Sequence, residues 1–302
     1  MAKILGLFPG QGSQKVGMGK ELFEQSPIAR SIFSAADEAL GFKLSTLCFE
    51  GPAEALTATE HAQPAILTVS TICYRLAAEA GLTLTAAAGH SLGEYSALVA
   101  AGALRFEDAV VLVHKRGKYM QTAVPVGEGK MVAVLGKETA EIEAAIASVT
   151  SGVVQIANIN SPGQIVVAGA AAAVDAFKLA LGDARMTDLA VSAPFHCALM
   201  QPAADKLAVD LDHTEIKPAA FPVYANFTAQ PVRSPEEIRG ALKAQVCGRV
   251  RWIECMENAI TGEAIEKAVE FGAGAVLSGL LKRINNAIPR AAVGAVSDVP
   301  VA

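Results

Sequence analysis

The sequence predicts an α/β fold in which a large domain built on a parallel sheet is interrupted by a smaller inserted subdomain. Three observations lead there. Short apolar runs alternate with amphipathic segments from the start of the chain, as strands joined by crossover helices do. A Gly-x-Ser-x-Gly pentapeptide, Gly89-His90-Ser91-Leu92-Gly93, stands between an apolar run and a helical one. Further along, the signals change to strand, helix, strand, strand, helix, strand, with Gly- and Pro-containing segments on both sides.

The elements follow in order. Residues 4–8 read as a buried strand that ends in Pro9-Gly10-Gln11-Gly12-Ser13, which must be loop. Residues 64–80 read as a helix: Pro64 suits a first turn, Ile66, Leu67, Val69, Cys73, Leu76 and Ala77 recur on one face, and Gly81 can close it. The three alanines at 86–88 read as a strand running into the pentapeptide. A helix then extends to about Ala101, where Gly102 stops it, and a further helix spans 107–123. After Pro125 and Gly127-Glu128-Gly129 come strand 130–135, helix 138–149, strands 153–158 and 164–169, helix 171–181 and strand 185–190. That βαββαβ order is the pattern of a ferredoxin-like subdomain. Residues 1–126 and 194–302 thus form a large, α/β-hydrolase-like catalytic domain, residues 127–193 the insert, and the cleft between them is the expected active site. A strand over 264–271 and a helix over 276–286 close the pattern.

Composition excludes several classes of function. A chain of 302 residues, 52% hydrophobic and 18% charged, can bury a large core and is not disordered. Its net charge of −5 gives no basis for nucleic-acid binding. No stretch reaches the roughly 18 apolar residues that cross a bilayer, and the N-terminal run is too short for a signal peptide. Five cysteines without a Cys-x-x-Cys pair fit reduced thiols in the cytoplasm better than a disulfide framework. A soluble, cytoplasmic protein without membrane or nucleic-acid partners is expected.

The pentapeptide carries chemistry because of where it sits. Glycines allow a sharp turn that exposes a serine hydroxyl at a strand end, and Leu92 offers a backbone N–H at a helix N-terminus, where developing negative charge is favoured. The alternative is a chance pattern in a chain with 26 glycines. A serine needs a base, usually histidine, and there are five. His90 can pack under the turn, and His196 in Pro194-Phe195-His196 lies where loop-borne catalytic residues gather, yet an ordinary structural role is open to each. Arg116 stands beside Lys115 and near Lys118, which by itself reads as a solvated helix face.

Several further segments occur in a fixed order: Gly10-Gln11-Gly12-Ser13-Gln14, Gly89-His90-Ser91-Leu92-Gly93-Glu94, Arg116-Gly117, Asn160-Ser161-Pro162-Gly163-Gln164, Pro194-Phe195-His196, and Gln245 before Val250-Arg251-Trp252. Together, over roughly residues 4–283, they resemble the malonyl-CoA:acyl-carrier-protein transacylases of bacterial fatty acid synthesis. The resemblance implies Ser91 as acylated nucleophile, His196 as its base, and the backbone N–H groups of Gln11 and Leu92 as oxyanion hole. It implies Arg116 as clamp for the malonyl carboxylate, the backbone carbonyl of Gln245 as orienter of His196, and Gln63 and Asn160 as residues of the cleft. Phe195 would crowd an α-methyl branch on the donor, or merely pack the cleft wall. The implied partners are malonyl-CoA and acyl carrier protein, with Lys115, Lys118, Lys282 and Arg283 as possible docking charges, and neither metal nor bound cofactor. A serine hydrolase and a non-catalytic docking subunit are the rival readings: the first shares Gly-x-Ser-x-Gly, but its histidine normally lies near the C-terminus.

Overall fold

The computed structural model describes residues 2–191 and 193–299. Among these, ten strands form two sheets. They are β1 (Ile4–Phe8), β2 (Ala86–Gly89), β3 (Gly129–Leu135), β4 (Val154–Ser161), β5 (Gln164–Ala170), β6 (Arg185–Asp188), β7 (Val223–Tyr224), β8 (Pro231–Val232), β9 (Lys267–Phe271) and β10 (Arg290–Val293). The larger sheet has the order β10-β9-β1-β2-β7-β8 and is parallel except for β8 at its edge. The smaller sheet, β4-β5-β3-β6, is antiparallel throughout.

The central strands of the larger sheet are buried on both faces, so they read as continuous apolar runs. Leu5, Leu7, Ala86 and Ala88 pack on one face with Trp252, Met256, Leu277 and Leu281, while Phe8 and Ala87 join the core on the other. Because β1 and β2 are parallel and in register from Leu5↔Ala86 to Phe8↔Gly89, the loops that follow them leave the same sheet edge side by side. This brings Gln11 next to Ser91, at the carboxyl ends of strands where open α/β sheets bind ligands.

Two elements differ from the sequence-based expectation. The helix expected at 64–80 runs from Thr59 to Glu79, with Pro64 inside it. Proline cannot donate to the carbonyl of Glu60; His114 Nδ1, on helix Phe106–Thr122, donates to that oxygen instead at 2.8 Å. The same two helices meet so closely at Gly117 that a Cβ there would lie 2.5 Å from the Thr59 carbonyl oxygen. The strand expected at 264–271 begins only at Lys267, because helix Trp252–Glu263 continues further and ends on Ala264 in the left-handed conformation, φ 52°.

The smaller sheet is tied by backbone pairing to the segment that follows Gln245. Val250, from the chain that follows Gln245, donates to the Ala157 carbonyl at 2.8 Å and accepts from Ile159 N–H at 2.9 Å. The edge strand β4 is thereby covered, and the segment carrying Gln245 is held against it.

Candidate active site

Ser91 occupies the turn between β2 and helix Gly93–Ala100 with φ 51°, a conformation costly for a residue with a Cβ. The turn is possible because its glycines allow contact between backbones. A Cβ on Gly89 would sit 1.8 Å from the Gly93 carbonyl oxygen, and one on Gly93 would sit 2.0 Å from that of Phe8. Gly93→Ala is accordingly expected to destabilise the fold by several kcal/mol; a thermal melt indistinguishable from wild type would contradict the closeness of that packing.

The hydroxyl of Ser91 faces His196, although 105 residues separate them: Oγ lies 2.8 Å from Nε2. The other ring nitrogen, Nδ1, lies 3.0 Å from the backbone carbonyl of Gln245. A carbonyl only accepts, so Nδ1 carries the proton and Nε2 presents its lone pair to the serine O–H. Burial, and then the nearby Arg116 cation, push the His196 pKa down to about 3. The imidazole is therefore neutral, the form a general base requires.

Arg116 is not on a solvated face. It is 1% exposed, whereas Lys118 is on the surface and Lys115 is paired with Asp210 at 2.6 Å. Its Nη1 donates to Gln63 Oε1 at 2.7 Å, and its Nη2 to Gln245 Oε1 at 2.9 Å and to Ser91 Oγ at 3.2 Å. The Tyr95 ring lies 5.4 Å from the guanidinium carbon, a cation–π arrangement. Burial lowers the Arg116 pKa, with Tyr95 and Glu94 opposing the shift, but a guanidinium keeps its charge. Its buried neighbours are thus chiefly neutral dipoles, and the cation faces the cavity at the serine.

That cavity has a volume of about 320 Å³. Gln11, Gln63, Ser91, Leu92, Arg116, Asn160, Phe195 and His196 all line it, as do Met131 and Val166 of the smaller sheet and the segment after β6 at Leu189. The backbone N–H groups of Gln11 and Leu92 have no acceptor among the described residues. Asn160 Oδ1 accepts from His90 Nε2 at 2.8 Å, and the His90 ring also lies 5.4 Å from that of Trp252. His90 is thus occupied beneath the turn and turned away from the hydroxyl.

Two residues that sequence reasoning left without a role complete the surroundings of Ser91. Asn226, just after β7, accepts from Ser91 N–H at 2.6 Å and donates to the Gly89 carbonyl at 2.7 Å. Glu94 is fully buried; its Oε2 accepts from Asn226 N–H at 2.9 Å and from Gln245 Nε2 at 2.7 Å. Burial raises its carboxyl to about pKa 7, against the opposing effect of those donors. The signal for Glu94 was present, an acid in an otherwise apolar helix of Tyr95, Ala97 and Leu98. Asn226 gave none.

A serine with a neutral base, a buried cation and unengaged N–H groups around one cavity can form and break an acyl ester on a substrate that carries its own negative charge. Comparison with known proteins points the same way. The acyl transferase domain family matches residues 7–278. The malonyl CoA-acyl carrier protein transacylase of Bacillus subtilis is 49% identical over 298 residues, 97% of this chain and 94% of that one. The solved structure of the Coxiella burnetii malonyl CoA-acyl carrier protein transacylase superposes with a TM-score of 0.95 at 42% identity, covering 99% of this chain and 96% of that one. A malonyl-transacylase solved in complex with its type II PKS acyl-carrier protein superposes with the same score at 43% identity, covering 99% and 98%. The chain belongs to the acyl transferase domain family.

Proposed function

We propose that this chain transfers the malonyl group of malonyl-CoA to the phosphopantetheine thiol of an acyl carrier protein, through a malonyl-Ser91 intermediate. The observation that carries this reading is the buried Arg116 guanidinium, 3.2 Å from the Ser91 hydroxyl. A donor whose acyl chain ends in a carboxylate gives that cation a partner, and a donor ending in a methyl leaves it without one.

In the first half-reaction Ser91 Oγ attacks the thioester carbon while its proton passes to His196 Nε2. The oxyanion that forms is held by the N–H groups of Gln11 and Leu92. The carbon–sulfur bond then breaks, and His196 returns the proton to the departing CoA thiolate. In the second, the carrier thiol gives its proton to His196 and attacks the ester, and Ser91 leaves as its hydroxyl. A carbonyl, that of Gln245, orients the base where many serine enzymes use a carboxylate. A thioester is an activated acyl donor, so a weaker orienter suffices. Acyl transfer moves no electrons between partners, so the reading includes no bound cofactor or metal. Phe195, 8% exposed, lines the cavity; we read its ring as crowding an α-methyl branch on the donor, the alternative being that it only packs the cleft wall.

We read the insert as ferredoxin-like because its sheet order, β4-β5-β3-β6, with helices Thr139–Ala147 and Ala171–Leu181 between strands, is that of a βαββαβ unit. The large unit comprises residues 1–126 and 194–302, the insert 127–193, although residues 1, 192 and 300–302 fall outside those described. Five unpaired thiols fit a cytoplasmic enzyme supplying fatty acid elongation, and among the described residues no helix is long and apolar enough to cross a membrane.

The test is intact-protein mass after brief incubation with malonyl-CoA or acetyl-CoA. A malonyl adduct that holo carrier protein discharges is the expected result, and Arg116→Ala should lower the malonyl rate on the order of 10²-fold with a much smaller effect on acetyl. Equal acetyl and malonyl adducts on the wild type would remove the role of Arg116. Accumulating free malonate without transfer would make the protein a hydrolase.

A further inference from the structure

We propose that Glu94 is the positioning residue of this site. Through one carboxylate oxygen it locks the Asn226 and Gln245 arms that hold Ser91 in its turn, and so sets Arg116 at the distance from Ser91 that selects a carboxylated acyl group. This rests on the reading of Arg116 as the carboxylate clamp.

The reasoning begins with the Gln245 side chain. Its Nε2 carries two hydrogens; one goes to Glu94 Oε2 at 2.7 Å, the other to the Ser91 carbonyl at 2.9 Å. Glu94 Oε2, which also accepts the Asn226 N–H, and the Ser91 carbonyl are both acceptors, so both face the NH₂ end of the amide and the Oε1 end must point to Arg116. The opposite orientation would place the amide oxygen against two acceptors and its NH₂ against a guanidinium. Glu94 therefore fixes which way Gln245 faces, and Gln245 in turn fixes Arg116 Nη2 at 2.9 Å. Glu94, Gln245 and Arg116 are each 1% exposed or less, so water cannot relieve the three mismatched contacts that a flipped amide would make.

The second arm starts from the same oxygen. Glu94 Oε2 accepts the Asn226 N–H, and the Asn226 side chain grips the turn at both the Ser91 N–H and the Gly89 carbonyl. Between them the arms hold both backbone polar groups of Ser91. They thus maintain its left-handed φ of 51°, which no intrinsic preference of serine would keep. Glu94 sits three residues on from Ser91 in the same strand–turn–helix, so the helix that opens after the nucleophile carries the anchor for it.

The experiment measures single-turnover formation of malonyl-Ser91 and acetyl-Ser91 in four variants: Glu94→Gln, Glu94→Met, Gln245→Met, and the double variant with both methionines. Glu94→Gln keeps an acceptor oxygen for both donors and is expected to hold the malonyl-to-acetyl rate ratio within about threefold of wild type. Glu94→Met is expected to lower that ratio about tenfold or more, and Gln245→Met, which retains the backbone carbonyl for His196, to lower it by a similar factor. The double variant should fall no further than either single one, since the two act as one unit. A general folding defect lowers both rates together and leaves the ratio alone. Equal loss of both rates in Glu94→Met, multiplying effects in the double variant, or a Glu94→Gln defect as large as that of Glu94→Met would each overturn the proposal. If Glu94→Met does not fold, an unchanged ratio in Gln245→Met overturns it equally. A wild type without malonyl preference would instead remove the reading of Arg116 beneath it.

Discussion

Ser91→Ala is expected to abolish the acyl-enzyme and to lower transfer by at least about 10⁴-fold. The loss should be this large because Ser91 Oγ is where three features meet: the lone pair of His196 at 2.8 Å, the Arg116 guanidinium at 3.2 Å, and the turn that presents the hydroxyl. Removing the oxygen leaves a base with nothing to activate, and among the described residues lining the cavity only Thr57 carries another hydroxyl. Stability should change little, because alanine keeps the Cβ and the backbone contacts of Asn226 and Gln245 reach Ser91 through its N–H and carbonyl. The check is mass spectrometry with malonyl-CoA, alongside a thermal melt of the same sample. A folded Ser91→Ala protein that still acquires a malonyl group would place the nucleophile elsewhere.

The parts of this molecule that could be read from the sequence are those whose constraint is local. Ser91 stood out because a nucleophile at a strand end needs glycines on both sides of it, and the close approaches at Gly89 and Gly93 show why. The central strands were legible because burial on both faces makes them continuous apolar runs. Helix Thr59–Glu79 was placed too late, since Pro64 normally marks a first turn and only His114, from another helix, makes it tolerable further in. Strands β7 and β8, two residues each, leave no periodicity to detect.

For the site, the limit was distance along the chain. Nothing around His196 distinguishes a base from a structural histidine until Ser91 and Gln245 are brought to it. Arg116 looked solvated because Lys115 and Lys118 flank it, yet a helix turns by about 100° per residue, so neighbours in sequence face different directions. Val113 and Met120, three residues before and four after, share its buried side. Asn226 acts through backbone groups 135 and 137 residues away, a relation that no local pattern encodes.

His196→Ala is expected to lower the acylation rate by about 10²- to 10⁴-fold while leaving a slow residual reaction at Ser91, because the cation and the oxyanion donors remain. The pH dependence separates this base from an ordinary histidine. With its pKa pushed down to about 3 by burial and by Arg116, His196 stays neutral far below the usual 6.5. The wild-type rate should then show no acid limb centred near pH 6.5. Glu94 does take up a proton near pH 7, but Oε2 keeps its two donors if the proton sits on the other oxygen, and Glu94→Gln should show the same profile. Stability follows a definite sign. The folded-state pKa of His196 lies below its unfolded value, so its neutral form contributes stability that is complete above pH 6.5 and is lost as the pH falls from there toward 3, where the unfolded chain binds the extra proton. Glu94 acts in reverse: its raised value makes the fold relatively most stable below about 4.5, a contribution lost as the pH rises from there to about 7. Urea titrations of wild type and His196→Ala between pH 4 and pH 8 test the linkage, the variant being expected to lose less stability on acidification. An acid limb near pH 6.5 that His196→Ala abolishes would mean that the imidazole is open to water, and the base would then have to be described as a solvated one.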